Sequence, residues 1–269
     1  MSQGYIQEIF SSFQGEGAAV EGSCYGLRQI FIRLAGCPLA LGIHGTKGCI
    51  WCDSPKSWNS TPENCLIEIQ AGSQTFDKLD NPITVENVVK VVKKLTTKDL
   101  HSISFTGGEP LYQESFLEQI VKLLKLEGYK TYLETAYTDN LDFLRKIAEK
   151  IDFSCVDIKD RTAEAALNWE QLIEQELEMC KILKDSGTKV FAKTVITKSS
   201  KIEDFEIIAR KCGDIEVPLV IQFVTPVKNS DVKKPTWDQI NIFTQTAGKY
   251  LSANKIGISI QMHKAIEIL

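Results

Sequence analysis

The sequence contains no apolar run long enough to cross a bilayer: stretches such as 217–224 stay far below the roughly 18 residues that a spanning helix needs. It also has no basic excess. With 31 Lys and Arg against 35 Asp and Glu the formal charge is −4, and no long run of either sign interrupts the chain. The stripe of cations that tracks nucleic-acid phosphates is therefore missing, and a small-molecule partner is the default expectation. The first residues, Met1 to Glu8, do not pair a basic region with an apolar one, which argues against secretion and for a reducing cytoplasm. Eight cysteines in 269 residues are too few for a disulfide framework, so thiols that cluster read as metal ligands or catalytic groups. Repeats, low-complexity tracts and interdomain linkers are lacking too, and 43% hydrophobic with 25% charged residues excludes the disordered and coiled-coil classes.

What is present is an alternation of β-branched apolar runs with segments of helical period, the pattern of βα units around a mostly parallel sheet. The predicted strands are 30–34, 102–106, 130–134, 153–158, 190–196, 219–224 and 257–261. Helices are predicted over 84–95, 114–127, 141–150, 169–185, 202–211 and 237–251. In the second of these Phe116, Leu117, Ile120, Val121 and Leu124 form one apolar stripe and Gly128 is placed to end it. Thr236 followed by Gln239 is a capping-box pattern. Crossovers of this length suit an α/β fold of partial or complete barrel type, as a single domain over 1–269. Only the stretch 36–78 shows no convincing period, and a loop that long is expected to be functional or mobile.

That stretch holds Cys37, Cys49 and Cys52, with eleven residues between the first two, just beyond the carboxyl end of the strand 30–34. In parallel α/β folds ligands bind at that end. Three thiolates would leave one iron of a four-iron cluster open to an outside ligand. His44 lies between them, however, and Cys37, His44, Cys49 and Cys52 would equally make a closed tetrahedral zinc site. Both readings stand on these residues alone. Cys24, Cys65, Cys155, Cys180 and Cys212 are scattered and read as buried thiols or isolated residues. His101 and His263 lack ligand spacing, and a hydrogen-bonded structural role is expected for His101. A second signal is Thr106-Gly107-Gly108-Glu109-Pro110 at a strand end. Paired glycines there mean a tight turn, and also let backbone carbonyls approach a ligand amine, with Glu109 and Thr106 as polar partners. Gln14-Gly15-Glu16-Gly17 is a similar turn near the N-terminus, which alone would read as a polar loop.

Taken in chain order, Gln14 to Gly17, Phe31 to Cys37, Trp51-Cys52-Asp53-Ser54, the glycine turn and Gln261-Met262-His263-Lys264 resemble the radical S-adenosylmethionine (SAM) superfamily and, more narrowly, its 7-carboxy-7-deazaguanine synthases. The chain departs from that pattern in places. The usual cysteine spacing is C-x3-C-x2-C, Ser54 stands where threonine is common, Asp157-Ile158-Lys159 replaces Ser-Pro-Lys, and Met262 replaces a threonine.

The resemblance implies a partial (βα)6-type TIM-like barrel carrying a [4Fe-4S] cluster on Cys37, Cys49 and Cys52, with SAM on its open iron and no catalytic side chain beyond these cofactors. It places Trp51, Cys52, Asp53, Gly108, Asp157, Lys159, Gln222 and Thr225 beside SAM. The implied reaction converts 6-carboxy-5,6,7,8-tetrahydropterin to 7-carboxy-7-deazaguanine with loss of ammonia. Phe13, Gln14, Gly15, Glu16, Arg33, Thr106 and the terminal carboxylate of Leu269 would line the pterin, and Ser54 would hold Mg2+. Arg33, an internal cation in an apolar strand, suits the substrate carboxylate; a salt bridge to a protein acid is the competing reading. A flavodoxin or ferredoxin as electron donor and a homodimer are further expectations. The alternatives are another radical SAM enzyme, such as a glycyl-radical activase, and a zinc-binding interaction protein.

Overall fold

The computed structural model of the chain describes residues 2–226 and 230–265. In chain order it contains β1 (Gln3–Gly4), β2 (Ile6–Phe13), β3 (Arg28–Leu34), β4 (Asn64–Glu68), β5 (Phe76–Asp80), β6 (Ile83–Thr84), α1 (Val85–Leu95), β7 (Ser102–Gly107), α2 (Glu114–Leu126), β8 (Thr131–Thr135) and α3 (Leu141–Ala148). Then follow β9 (Phe153–Asp157), α4 (Trp169–Asp185), β10 (Lys189–Ile196), α5 (Ile202–Asp214), β11 (Leu219–Phe223), α6 (Trp237–Ala247), β12 (Ile256–Ser259) and α7 (Met262–Ala265). Ten strands make one open sheet in the order β12-β11-β10-β9-β8-β7-β3-β2-β4-β5. From β3 to β12 every neighbouring pair is parallel. α1 to α6 supply one helix to each crossover, which is what a parallel connection requires. The two ends of the sheet do not pair with each other, so the barrel is partial.

The helices form where an apolar stripe meets a cap. In α1 Val85, Val88, Val89, Val92 and Leu95 are buried, and the Thr84 hydroxyl accepts the Asn87 N–H. α6 begins with the complete capping box of Thr236 and Gln239. Gly128, just past α2, takes a left-handed φ of 85°, as its position predicts. The helical stripes and one face of the sheet share a large core, from Ile9 and Ile32 through Leu133 and Val156 to Phe243. Inside the curve of the sheet a smaller plug contains Tyr132, Cys155, Phe191 and Val220, from β8, β9, β10 and β11. Side chains alternate along a strand, so the residue two positions on from each of these points the same way.

The seven predicted strands are the seven parallel ones, each within two residues at either end. The stretch 36–78 is a correction. It contains a 3-10 turn (Pro55–Trp58) and the strands β4 and β5, and β4 pairs with β2, which extends the sheet beyond β3. β4 reads Asn-Cys-Leu-Ile-Glu and β5 Phe-Asp-Lys-Leu-Asp, short strands whose polar content masks the period. β2 was also unpredicted, because its sequence Ile-Gln-Glu-Ile-Phe-Ser-Ser-Phe breaks the strict alternation.

Candidate active site

Above the apolar plug the next inward layer is polar. Moving two residues along from Phe31, Ser104, Tyr132, Cys155, Phe191 and Val220 gives Arg33, Thr106, Glu134, Asp157, Lys193 and Gln222, one from each of six adjacent parallel strands. All six line one open cavity of about 1230 Å³ at the carboxyl ends of the strands. The same cavity is lined by Cys37, Cys49 and Cys52, by the 14–16 turn, and by Gly107 and Gly108. Strand periodicity thus sets an ionic floor beneath the three thiols.

Burial pushes the Cys37 thiol up to about 11, against the pull of the Ala40 N–H, and the Cys49 thiol up to about 12, against the pull of the Lys159 ammonium. Cys52 is raised by the same cause. Buried thiols that resist ionisation alone are suited to a centre whose own positive charge stabilises the thiolates. Backbone N–H groups of Ala40 and Leu39 directed at the Cys37 sulfur fit such a centre as well. His44 is not among the residues lining the cavity; its ring packs edge-on against Tyr137 at 4.5 Å. The stretch from His44 to Ile50, which spans the second cysteine, folds back onto the segment after β9. The Ile50 N–H bonds the Ala163 carbonyl (3.0 Å), the Thr46 hydroxyl the Ala165 carbonyl (2.8 Å), and the Leu167 N–H the His44 carbonyl (3.2 Å). Cys24, Cys65, Cys155, Cys180 and Cys212 are buried free thiols elsewhere, and His101 is hydrogen-bonded to Ser102 (3.0 Å).

The glycine turn owes its composition to packing first. A Cβ on Gly108 would lie 2.2 Å from the Gly36 carbonyl oxygen and 2.7 Å from that of Ser57. The Gly108 N–H bonds Leu34 O (3.0 Å) and the Glu109 N–H bonds Gly36 O (2.8 Å), so the turn is laced to the end of β3. Glu109 does not point to a ligand. Its carboxylate accepts from Leu111 N, Thr135 Oγ1, Ala136 N and Tyr137 N at 2.7–3.1 Å, which anchors the loop after β8.

Two ionic groups organise the polar floor. Lys159 Nζ sits 2.6 Å from Asp157 Oδ2, and the Lys159 backbone is gripped by α4, with Glu176 Oε2 accepting its N–H (3.0 Å) and Trp169 Nε1 donating to its carbonyl (2.7 Å). Lys193 is paired with Glu16 and lies 3.3 Å from Glu134 and 3.7 Å from Asp157. Burial acts upward on Glu16, but the Lys193 charge and hydrogen bonds from Glu134, Lys193 and Gln261 outweigh it and hold that carboxyl well below the usual range. Burial lifts Glu134 to about 7, with Lys193 opposing and Glu16 adding to the rise. Of the two hydrogen-bonded carboxyls, Glu134 is thus the one more easily protonated.

A radical SAM superfamily model matches residues 35–212. Over 98% of both chains, the sequence is 37% identical to the 7-carboxy-7-deazaguanine synthase of Thermococcus kodakarensis. The chain belongs to this family. It is also 34% identical to the synthase of Methanocaldococcus jannaschii, over 98% of this chain and 100% of the relative. Among solved structures, a radical SAM methyltransferase from Sphaerobacter thermophilus shares the fold at a TM-score of 0.57 and 15% identity, covering 87% of this chain and 66% of its own. Membership of the superfamily implies a [4Fe-4S] cluster and SAM.

The donor set of three cysteines at one cavity fits the cluster. For SAM, the fit is seen in two buried acceptors of the cavity wall that have no hydrogen-bond partner among the described residues, Asp157 Oδ1 and Gln222 Oε1. Trp51, Cys52, Asp53, Gly108, Lys159 and Thr225 line the same cavity, as do Phe13, Gln14, Gly15, Glu16, Arg33, Thr106 and Ser54. Leu269 lies outside the described residues. Two of these side chains already have partners within the protein. Arg33 is not an unpaired cation: Nε meets Glu8 Oε1 at 2.7 Å and Nη1 meets Ser54 Oγ at 3.1 Å. Gln222 turns one amide N–H to Glu16 (3.2 Å), and its carbonyl oxygen is available for a cofactor. The sequence reading missed Glu8, Glu134 and Lys193, and gave Gln261 no role at the site. For Lys193 the signal was there, a lone cation within Val190-Phe191-Ala192-Lys193-Thr194-Val195, the same sign that drew attention to Arg33.

Proposed function

We propose that this chain is a 7-carboxy-7-deazaguanine synthase, acting on 6-carboxy-5,6,7,8-tetrahydropterin with loss of ammonia. The observation that carries the reading is the identity of 37% over 98% of both chains. Cys37, Cys49 and Cys52 would hold the cluster, and the cluster with SAM supplies the radical chemistry when bound. The chain's own residues position and shield. Lys159, held protonated by Asp157 despite burial, offers a cation beside the thiols for a cofactor carboxylate. Asp157 Oδ1 and Gln222 Oε1 offer acceptors for hydroxyl or amino donors. Arg33 keeps the Nη2 edge of its guanidinium for the substrate carboxylate while Glu8 fixes its Nε. The 14–16 turn and Thr106 would border the pterin edge, and Phe10 and Phe31, stacked at 5.1 Å, give that end of the cavity an apolar wall that excludes water.

Magnesium belongs to the same proposal. The Ser54 hydroxyl lies 2.9 Å from Asp53 Oδ1, a hydroxyl and a carboxylate that suit a hard cation completed by substrate oxygens and water. Binding it there displaces Arg33 Nη1 from Ser54. An acidic electron carrier of the flavodoxin or ferredoxin kind, a homodimer, a cytoplasmic location and a contact from the Leu269 carboxylate complete the reading. The test is anaerobic reconstitution followed by incubation with SAM, reductant, Mg2+ and the carboxypterin. A deazapurine product is expected. Deoxyadenosine without deazapurine would assign the chain to another radical SAM reaction, and material that binds a colourless ion in place of iron would remove the cluster.

A further inference from the structure

Lys193 has no place in the cysteine motif or the glycine turn, yet it occupies the centre of the polar floor. Its side chain is 3% exposed and its ammonium faces carboxyls from three separate elements: Glu16 of the N-terminal turn, Glu134 of β8 and Asp157 of β9. A lone ammonium this deep is costly unless paired, so the site is built around it. Glu16 in turn accepts from Lys193 on Oε2, and from Gln261 (2.8 Å) and Gln222 (3.2 Å) on Oε1. An ionised carboxylate accepts at about four lone-pair positions. Lys193, Gln261 and Gln222 fill three of them, and the Glu134 carboxyl takes the fourth at the cavity that Glu16 lines.

The Gln261 amide also reaches Asp53 Oδ2 (2.7 Å), and the Met262 N–H bonds the Gly15 carbonyl (2.8 Å). The turn at 14–16 is therefore tied to β10, β11 and the segment after β12, across the side of the barrel where the sheet does not close.

We propose that Lys193 is the positioning residue of the pterin pocket, orienting the Glu16 carboxylate so that an N–H donor of the substrate ring can take the lone pair now held by the Glu134 carboxyl. This rests on the deazaguanine synthase reading above. The polar floor explains the specificity. A fused ring with adjacent ring and exocyclic N–H groups presents donors to a fixed acceptor, and a substrate lacking them has nothing to offer it in place of the Glu134 carboxyl.

The test uses reconstituted holoenzyme carrying Lys193→Met, Lys193→Arg, Glu16→Gln and the Glu16→Gln/Lys193→Met pair. Lys193→Met should raise the KM for carboxypterin roughly 10- to 100-fold, the worth of a hydrogen bond to a charged group. The SAM dissociation constant and the iron content should change little, and Lys193→Arg should recover most of the loss. In the Glu16→Gln background Lys193→Met should add almost nothing, because both changes act on one carboxylate. Equal weakening of SAM and pterin, or additive effects of the two substitutions, would overturn the inference. Should Lys193→Met fail to hold iron, the double variant decides: recovered iron supports the pairing, and continued loss assigns Lys193 to architecture alone. A wild-type holoenzyme that neither binds nor converts carboxypterin would overturn the substrate reading itself. A competent wild type with an unmoved KM in Lys193→Met overturns only this step.

Discussion

Replacing Glu176 by Gln should make the protein progressively more stable than wild type as pH rises. Glu176 is fully buried on α4, with Oε2 on the Lys159 N–H and Oε1 without a hydrogen-bond partner among the described residues. Burial raises its carboxyl well above the ordinary value of 4.5, and neither the Lys159 N–H nor the Lys159 charge cancels that rise. The folded chain therefore holds a proton that the unfolded chain releases. A raised folded-state pKa contributes stability that is complete below the unfolded pKa and is lost as pH climbs toward the folded one. The loss is about 1.4 kcal/mol per pH unit for one proton.

Glutamine has the same shape, accepts the same N–H and does not titrate, so the gap between variant and wild type should widen as pH climbs above the ordinary carboxylate range, by at most about 1.4 kcal/mol per unit. Denaturant unfolding followed by tryptophan fluorescence at several pH values measures that gap. Parallel stability curves for the two proteins would refute the reasoning, since they would mean that the Glu176 carboxyl has the same charge folded and unfolded. Glu176→Ala is the contrasting change. It leaves the Lys159 N–H unpaired, at about 1–3 kcal/mol, and opens a cavity besides. SAM affinity should fall with it, whereas Glu176→Gln should retain that affinity.

Two other outcomes are expected. Arg33→Met strips Glu8 of its partner at 2.7 Å, destabilising by about 1–3 kcal/mol, and should raise the KM for carboxypterin tenfold or more with SAM binding unchanged; equal weakening of both ligands would make Arg33 purely architectural. Gly108→Ala places a Cβ 2.2 Å from the Gly36 oxygen, an overpacking of about 1–3 kcal/mol that should lower the melting temperature, and an unchanged melting curve would show that the turn has room.

The parallel half of the fold was readable because its strands, buried on both faces, are nearly continuous apolar runs bounded by turns. The strands that were missed lie on the β2, β4 and β5 side, where Gln7, Glu8, Asp77 and Lys78 break the runs because that part of the sheet is partly exposed. At the site, Arg33, Thr106, Asp157 and Gln222 were picked out and the two between them in the layer, Glu134 and Lys193, were not. All six follow from one rule, two residues on from a buried inward-facing neighbour. Applying it requires knowing which face of each strand is inward, and that depends on how neighbouring strands stagger, which no single segment encodes. The role of Glu109 was misread for a related reason. Its four partners come from positions 111 to 137, and sequence proximity to a glycine turn says nothing of them.

The lengthened stretch between the first two cysteines is stitched by two hydrogen bonds to 165–167, and Ile50, just past the second cysteine, adds a third to Ala163, a few residues past Lys159. The two rims of the cavity are thereby one mechanical piece. Iron loading and sulfonium capture are accordingly expected to communicate, so that a protease probing iron-free protein would find 38–48 no easier to cut than the neighbouring rim, and a nick in either rim would cripple both tasks together.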